Sequence, residues 1–259
     1  MRFDFLPVML LAGAFATLAT SAQAEVNLNA GVRLSQNDNI NGSPDTPTTA
    51  NQLRDSYSTL NACAVYFTPL NDKQTRYFIG QLGAMTSTYN VYNNLDSSAL
   101  MTSAGLYQKL SNTWSAQLMG RGFSRYTKQT ARDSSGYGAT FELKDQLTET
   151  VWVKGVLDYE SSKANLSSYS NTGNAWGLNL GYLPLKDTFL NFGYSHSNHD
   201  FKTVAPFRTA TQMLFIEASQ RLSKNWYLNG GYASMKNDSN YAGTAYTNRV
   251  LSIGLSCSY

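Results

Sequence analysis

Five short turns divide this chain into pairs of alternating segments, and that rhythm limits the accessible folds more than any other feature. Pro69-Leu70-Asn71-Asp72, Leu110-Ser111-Asn112, Leu143-Lys144-Asp145, Pro184-Leu185-Lys186-Asp187 and Leu222-Ser223-Lys224-Asn225 each place a Leu before turn-forming residues. They recur roughly every 33–42 residues, the length of two strands, one tight turn and one longer connection, so the repeat is a hairpin repeat. Between them lie stretches rich in Asn, Ser, Asp, Gly and Thr: Asn37 to Asp55, Asn90 to Asp96, Lys128 to Ser135, Ser161 to Thr172, His199 to Phe207 and Lys236 to Ala245. Tight turns at one end and longer polar loops at the other are the asymmetry of a membrane barrel. There every backbone amide must bond to a neighbouring strand, because lipid offers no partner.

The expected fold class is therefore all-β: a transmembrane antiparallel up-and-down β-barrel of about twelve strands, with ten or fourteen as the adjacent even counts. The strands fall near 25–35, 56–68, 75–87, 98–109, 114–127, 136–146, 149–160, 173–184, 188–198, 208–221, 226–236 and 247–259. An even count brings both termini to the turn end, the periplasmic side. Residues 1–24 read as a cleaved signal peptide and 25–259 as the barrel. Arg2 opens the leader, Leu6 to Thr20 is an apolar run too short to span a bilayer, and Ala22-Gln23-Ala24 fits the cleavage site.

Composition separates this reading from its rival, a soluble periplasmic β-sandwich. The chain holds 17 Tyr, 12 Phe and 4 Trp, yet only 14% of its residues are charged, against about a quarter in soluble domains. The mean hydropathy of −0.33 and the lack of a second long apolar run argue against spanning helices. A net charge of +3 is too small and dispersed for nucleic acid. Cys63 and Cys257 belong to the second and last strands, with the first strand between them. That is roughly 9–10 Å, beyond disulfide reach, so both are expected to be free thiols.

The C-terminus adds a resemblance. Ser252, Gly254, Cys257 and Tyr259 stand where the C-terminal signal read by the bacterial barrel-assembly machinery has its polar residue, glycine, apolar residue and terminal aromatic. The resemblance implies a bacterial outer-membrane barrel, with that machinery and outer-membrane lipid as partners. Leu251, Ile253, Leu255 and Tyr259 share one face of this strand, which closes against the first. Near the other end, Gln36-Asn37-Asp38-Asn39-Ile40-Asn41 resembles the signature closing the first strand in the barrel domains of surface lipoprotein assembly modifiers and some exopolysaccharide-associated barrels. The residues themselves read as a solvated loop with too few carboxylates for Ca²⁺.

Alternation assigns a lipid face to most strands, among them Val26/Leu28/Ala30/Val32/Leu34, Tyr137/Ala139/Phe141/Leu143 and Trp176/Leu178/Leu180/Tyr182. Trp114, Trp176, Tyr182 and Tyr259 are the expected girdle residues, and the phases of the second, third and eleventh strands stay open. The opposite face supplies the lumen candidates Arg33, Gln117, Arg121, Arg125, Glu142, Lys154, Asp158 and Glu217. Two readings stand for them. Arg121 pairs with Asp158 or Glu217 and the interior is merely neutralised, or Arg33, Arg121 and Arg125 form a weakly basic path for a small polar or anionic solute. The opening loop, about twenty residues long, is the candidate for an inward-folded constriction.

Three functions follow: a narrow channel, a structural or export barrel that docks another protein or a further copy of itself, and an outer-membrane lipid-modifying enzyme. The enzyme rests on Ser195-His196-Ser197-Asn198-His199-Asp200, the segment holding both histidines. A serine adjacent to a strand histidine points to the opposite face, so His196 is badly placed to activate either neighbour. No catalytic set, metal site or cofactor is expected.

Overall fold

The computed structural model describes residues 24–40, 53–203, 207–241 and 244–259. The signal peptide and most of the opening loop lie outside these residues. Twelve antiparallel strands close into one barrel: β1 (Glu25–Asn37), β2 (Asp55–Pro69), β3 (Arg76–Tyr89), β4 (Ser97–Lys109), β5 (Trp114–Thr127), β6 (Ser134–Gln146), β7 (Val151–Ala164), β8 (Asn171–Leu185), β9 (Thr188–Phe201), β10 (Phe207–Arg221), β11 (Trp226–Ser239) and β12 (Tyr246–Ser258). Each strand pairs with its sequence neighbours, and β12 returns to β1. No strand edge is left open, as a wall in lipid requires.

The register settles every face, because residues opposite one another across a ladder point the same way. From Val32 the outer row passes to Leu60 on β2 and Leu255 on β12, and from Leu255 to Leu228 on β11. Leu60, Ala62, Ala64 and Tyr66 of β2, Leu82 and Ala84 of β3, and Leu228 and Tyr232 of β11 therefore face out, which fixes the three open phases. Outward charges occur only towards strand ends: Arg76 and Asp145 at the turn end, and Lys163, Asp200, Arg208, Lys236, Asp238 and Arg249 at the other. Between them the outer face is apolar or small. Leu34, Leu118, Leu157, Leu214 and Ile253 are each more than half exposed, an inside-out arrangement stable only against hydrocarbon.

At the loop end the strands run further than expected. β7 continues to Ala164, β9 to Phe201 and β11 to Ser239, through residues read above as loop. Thirteen to fifteen residues tilted at about 45° span roughly 30–35 Å, more than an apolar band of about 25 Å. Where the wall stands clear of lipid both faces are wet and apolar alternation disappears. Cross-strand polar pairs hold it together instead. Arg208 Nε meets Asp200 Oδ1 at 2.6 Å, and Thr211 Oγ1 donates to Asn237 Oδ1 at 2.8 Å.

Both ends of the β1–β12 seam are clasped. At the turn end Leu28 and Tyr259 exchange backbone hydrogen bonds, each 2.8 Å. At the loop end the Arg249 N–H donates to Asp38 Oδ1 at 2.7 Å, Asn39 Nδ2 donates to the Thr247 carbonyl at 2.8 Å, and Asn39 N–H donates to Asn37 Oδ1 at 2.9 Å. The expectation of a merely solvated loop is corrected: Asp38 and Asn39 carry the pairing with β12 past the end of β1. Asp38→Ala is expected to cost about 1–2 kcal/mol at this seam. The measurement is the temperature at which the compact barrel band is lost on denaturing gels. An unshifted temperature would show the clasp to be incidental.

Candidate functional site

Inside the barrel two stretches of the inward rows differ in kind, and β2, β3 and β4 between them add apolar and aromatic residues such as Val65, Phe67, Ile79, Met85 and Met101. One, formed by β5, β6 and β7, is charged. Arg121 holds Asp158 with both guanidinium nitrogens, Nη2 lying 2.8 Å from Oδ2, and it also reaches Glu160 Oε2 at 3.1 Å. Arg125 forks onto the same Glu160 at 2.9 and 3.1 Å and lies over the Phe123 ring at 4.2 Å. Thr140 Oγ1 accepts from Arg121 at 2.8 Å and donates to Asp158 Oδ1 at 2.6 Å, joining the three strands. Nearer the turns, Lys154 Nζ meets Glu142 Oε1 at 3.1 Å, and Lys144 sits 4.9 Å from the centre of the Trp152 ring. Forked arginine–carboxylate pairs are stronger and better oriented than single contacts between flexible side chains.

This wall depends on glycine at one inward position. Gly138 lies between Arg121 and β7, and a Cβ there would meet both the Tyr159 carbonyl oxygen of β7 and the Arg121 Cζ, the latter at 2.8 Å. With no side chain at 138 the guanidinium lies flat across β6 and reaches Asp158 and Glu160 two strands away. Elsewhere the Trp152 indole occupies the space above Gly181 in the same manner.

The opposite wall, from β8 through β12 to β1, is mostly amide and hydroxyl. Asn191 Nδ2 approaches Glu217 Oε2 at 3.4 Å, and Asn229 Nδ2 donates to Ser256 Oγ at 2.9 Å. Arg33 points inward on β1, and among the described residues it has no ion-pair or hydrogen-bond partner for its side chain. Gln117 faces inward between Tyr107 and Glu142 of the adjacent strands.

All eight lumen candidates thus lie on inward rows, but they form separate groups. Arg121, Arg125 and Asp158 are one cluster, Glu142 and Lys154 a second, and Arg33 and Glu217 stand apart on the other wall. Arg121 pairs along its own wall with Asp158, whereas Glu217 is on β10. Of the two readings, the pairing of Arg121 with Asp158 is the one formed, and Arg121 and Arg125, both held by acids, do not join Arg33 in a continuous basic path. Glu160 bridges both arginines and was missed. Its signal was its place two residues beyond Asp158 on the same face of β7, obscured by ending the strand there.

The assembly residues occupy β12 and its end. Ser252 faces in, with its hydroxyl 3.4 Å from the Gly231 carbonyl. Gly254 lies so close to β1 that a Cβ would come within 2.6 Å of the Val32 carbonyl oxygen. Cys257, opposite Ala30, faces out, and Tyr259 is 67% exposed. Cys63, opposite Asn29, faces in, and both thiols are free. The two histidines point to opposite sides. His196 is outside beside Trp176, ring centres 6.2 Å apart, and His199 is inside over Gly173. Ser195 and Ser197 are inward, away from His196, and Asp200 is held by Arg208.

No family model matches the sequence, and no curated protein is similar to it. Solved structures resemble the fold. An outer membrane channel from Pseudomonas putida F1 aligns with a TM-score of 0.68 at 11% identity, covering 91% of this chain and 96% of the channel. The β domain of the Bordetella autotransporter BrkA aligns at 0.53 and 10% identity, covering 90% and 99%. The KdgM porin in complex with disordered oligogalacturonate aligns at 0.51 and 12% identity, covering 89% and 99%. These identities speak for fold alone. Closure, strand number, an uncharged outer band and these likenesses together make the chain a twelve-stranded barrel of the outer-membrane type.

Proposed function

We propose that the protein is a narrow outer-membrane channel for small polar or anionic solutes. The observation that carries this reading is the interior: a stretch of satisfied charges on β5 to β7 and a stretch of amides and hydroxyls from β8 round to β1, with the side chains of Arg121 and Trp152 laid over glycines. A barrel that served only as a closed anchor would gain more from an interlocked interior than from an amide-lined one. The channel structures resembling the fold support the same reading, and the likeness to an autotransporter β domain keeps an export or docking barrel as the second. On this reading residues 1–24 are removed on export, the chain 25–259 inserts with both termini in the periplasm, and no bond chemistry is carried out.

Purified protein in planar bilayers is expected to give unit conductance steps in KCl, smaller than those of barrels with sixteen or more strands, since bore grows with strand number. Current at the bilayer background, together with a stoichiometric co-purifying protein, would replace the channel with the docking barrel.

A further inference from the structure

The unpaired Arg33 lies in a defined recess of the lumen wall. A hollow of about 410 Å³ opens along β1, β2, β11 and β12, and the side chains of Asn29, Arg33, Asn61, Tyr227, Asn229 and Ser256 line it. Its size is at the lower end of small-molecule sites and suits one or two sugar-sized rings. Among the described residues, neither Asn29 nor Asn61 has a side-chain hydrogen bond, and Asn229 uses only its NH₂ group, towards Ser256 and the Tyr227 carbonyl. Among the described residues no carboxylate lines the hollow, while on the β5–β7 side Arg121 and Arg125 are occupied by acids.

We propose that this recess is a solute-binding station for a small polyhydroxylated monocarboxylate, a sugar acid in chemical class. The inference rests on the channel reading above and adds the solute. A lone guanidinium presents a planar fork that matches one carboxylate, and a more highly charged phosphate would demand a second cation. Amides donate and accept at once, which suits hydroxyls that do the same, and three of them line the same hollow as Arg33. Tyr227 adds a flat ring at the margin against which the C–H face of a sugar can lie. A neutral sugar would leave Arg33 unanswered. A simple carboxylate would leave the amides unanswered.

The test uses the full mature barrel with gluconate, glucose and acetate as probes. In planar bilayers gluconate is expected to interrupt the chloride current at a concentration about tenfold below either of the others, since each lacks one half of the match and a charged hydrogen-bonded contact carries about 1.4 kcal/mol or more. Arg33→Gln should abolish that advantage while chloride conductance persists. Arg33→Lys should retain only part of it. Asn61→Ala should weaken gluconate and leave acetate unchanged. Equal interruption by gluconate and glucose, or an Arg33→Gln barrel that discriminates as wild type does, would overturn the assignment and leave the channel standing. If wild-type barrels carry no current the channel falls instead, and titration calorimetry of the detergent-solubilised protein decides the station. Gluconate heat lost in Arg33→Gln upholds it, and no heat from wild type overturns it.

Discussion

Removing residues 246–259 is expected to eliminate the compact, heat-modifiable barrel from outer-membrane fractions. Without β12, β1 and β11 are both open edges, and each unpaired backbone group facing lipid costs several kcal/mol. Such losses, summed along a strand, exceed the whole stability of an ordinary fold. Tyr259→Asp is the milder form. Its backbone still bonds to Leu28, but a carboxylate replaces an aromatic side chain that is 67% exposed at the edge of the wall. Assembled barrel should fall several-fold and return with Tyr259→Phe. The readout is migration of unheated against heated samples, with protein counted in the outer-membrane fraction. Wild-type amounts of compact barrel after the deletion would mean that the wall closes without this strand.

The double substitution Asp158→Asn with Glu160→Gln should have the second largest effect, this time on selectivity. It removes both acids that hold Arg121 and Arg125, leaving two inward cations uncompensated on β5. In a KCl gradient the reversal potential should move strongly towards that of chloride, because counter-ions concentrate where one sign of charge lines a low-dielectric passage. Some stability will be lost as well, about 1–3 kcal/mol for a half-buried arginine stripped of its charged partners. Gly138→Val should move selectivity the same way at smaller amplitude by lifting the Arg121 guanidinium off its seat, with a loss of barrel stability because its Cβ would also meet the Tyr159 carbonyl oxygen of β7. An unchanged reversal potential in the double variant would place these side chains off the ion path.

Most of the wall was legible in the sequence. The hairpin rhythm sets the strand count, although the third turn is misplaced: β6 runs through Leu143-Lys144-Asp145 to Gln146 and the chain turns at 147–150. Alternation sets the lipid face wherever one face is polar. β2 resisted because apolar residues occupy both of its faces near the turn end: Ala64 and Tyr66 outside, Val65 and Phe67 inside. Only the register with β1 decides such a strand. The loop-end boundaries were misjudged for a different reason. Beyond the lipid, His199 and Asp200 at the end of β9 have water on both sides, so a strand there carries the composition of a loop. The site was legible as a set of residues and not as a set of partners. Arg121 and Asp158 are 37 positions apart and meet because of the β5–β6–β7 register and a missing Cβ at 138, neither of which leaves a periodic trace. Asp38 reads in the sequence as part of a solvated loop, because its partner, the Arg249 amide, comes from the far end of the chain.

The seats that glycine provides for large inward side chains have an evolutionary consequence. Strand number fixes the circumference of such a barrel, and changing it requires gaining or losing whole hairpins. The free bore is a separate variable, set by which inward residues can recline. Filling the seat at Gly181, where an added Cβ meets only the Trp152 side chain, would push an indole into the passage, and vacating a new seat would widen it, one codon at a time. A lineage of such barrels can therefore re-gauge its traffic while the wall, its register and its assembly remain untouched.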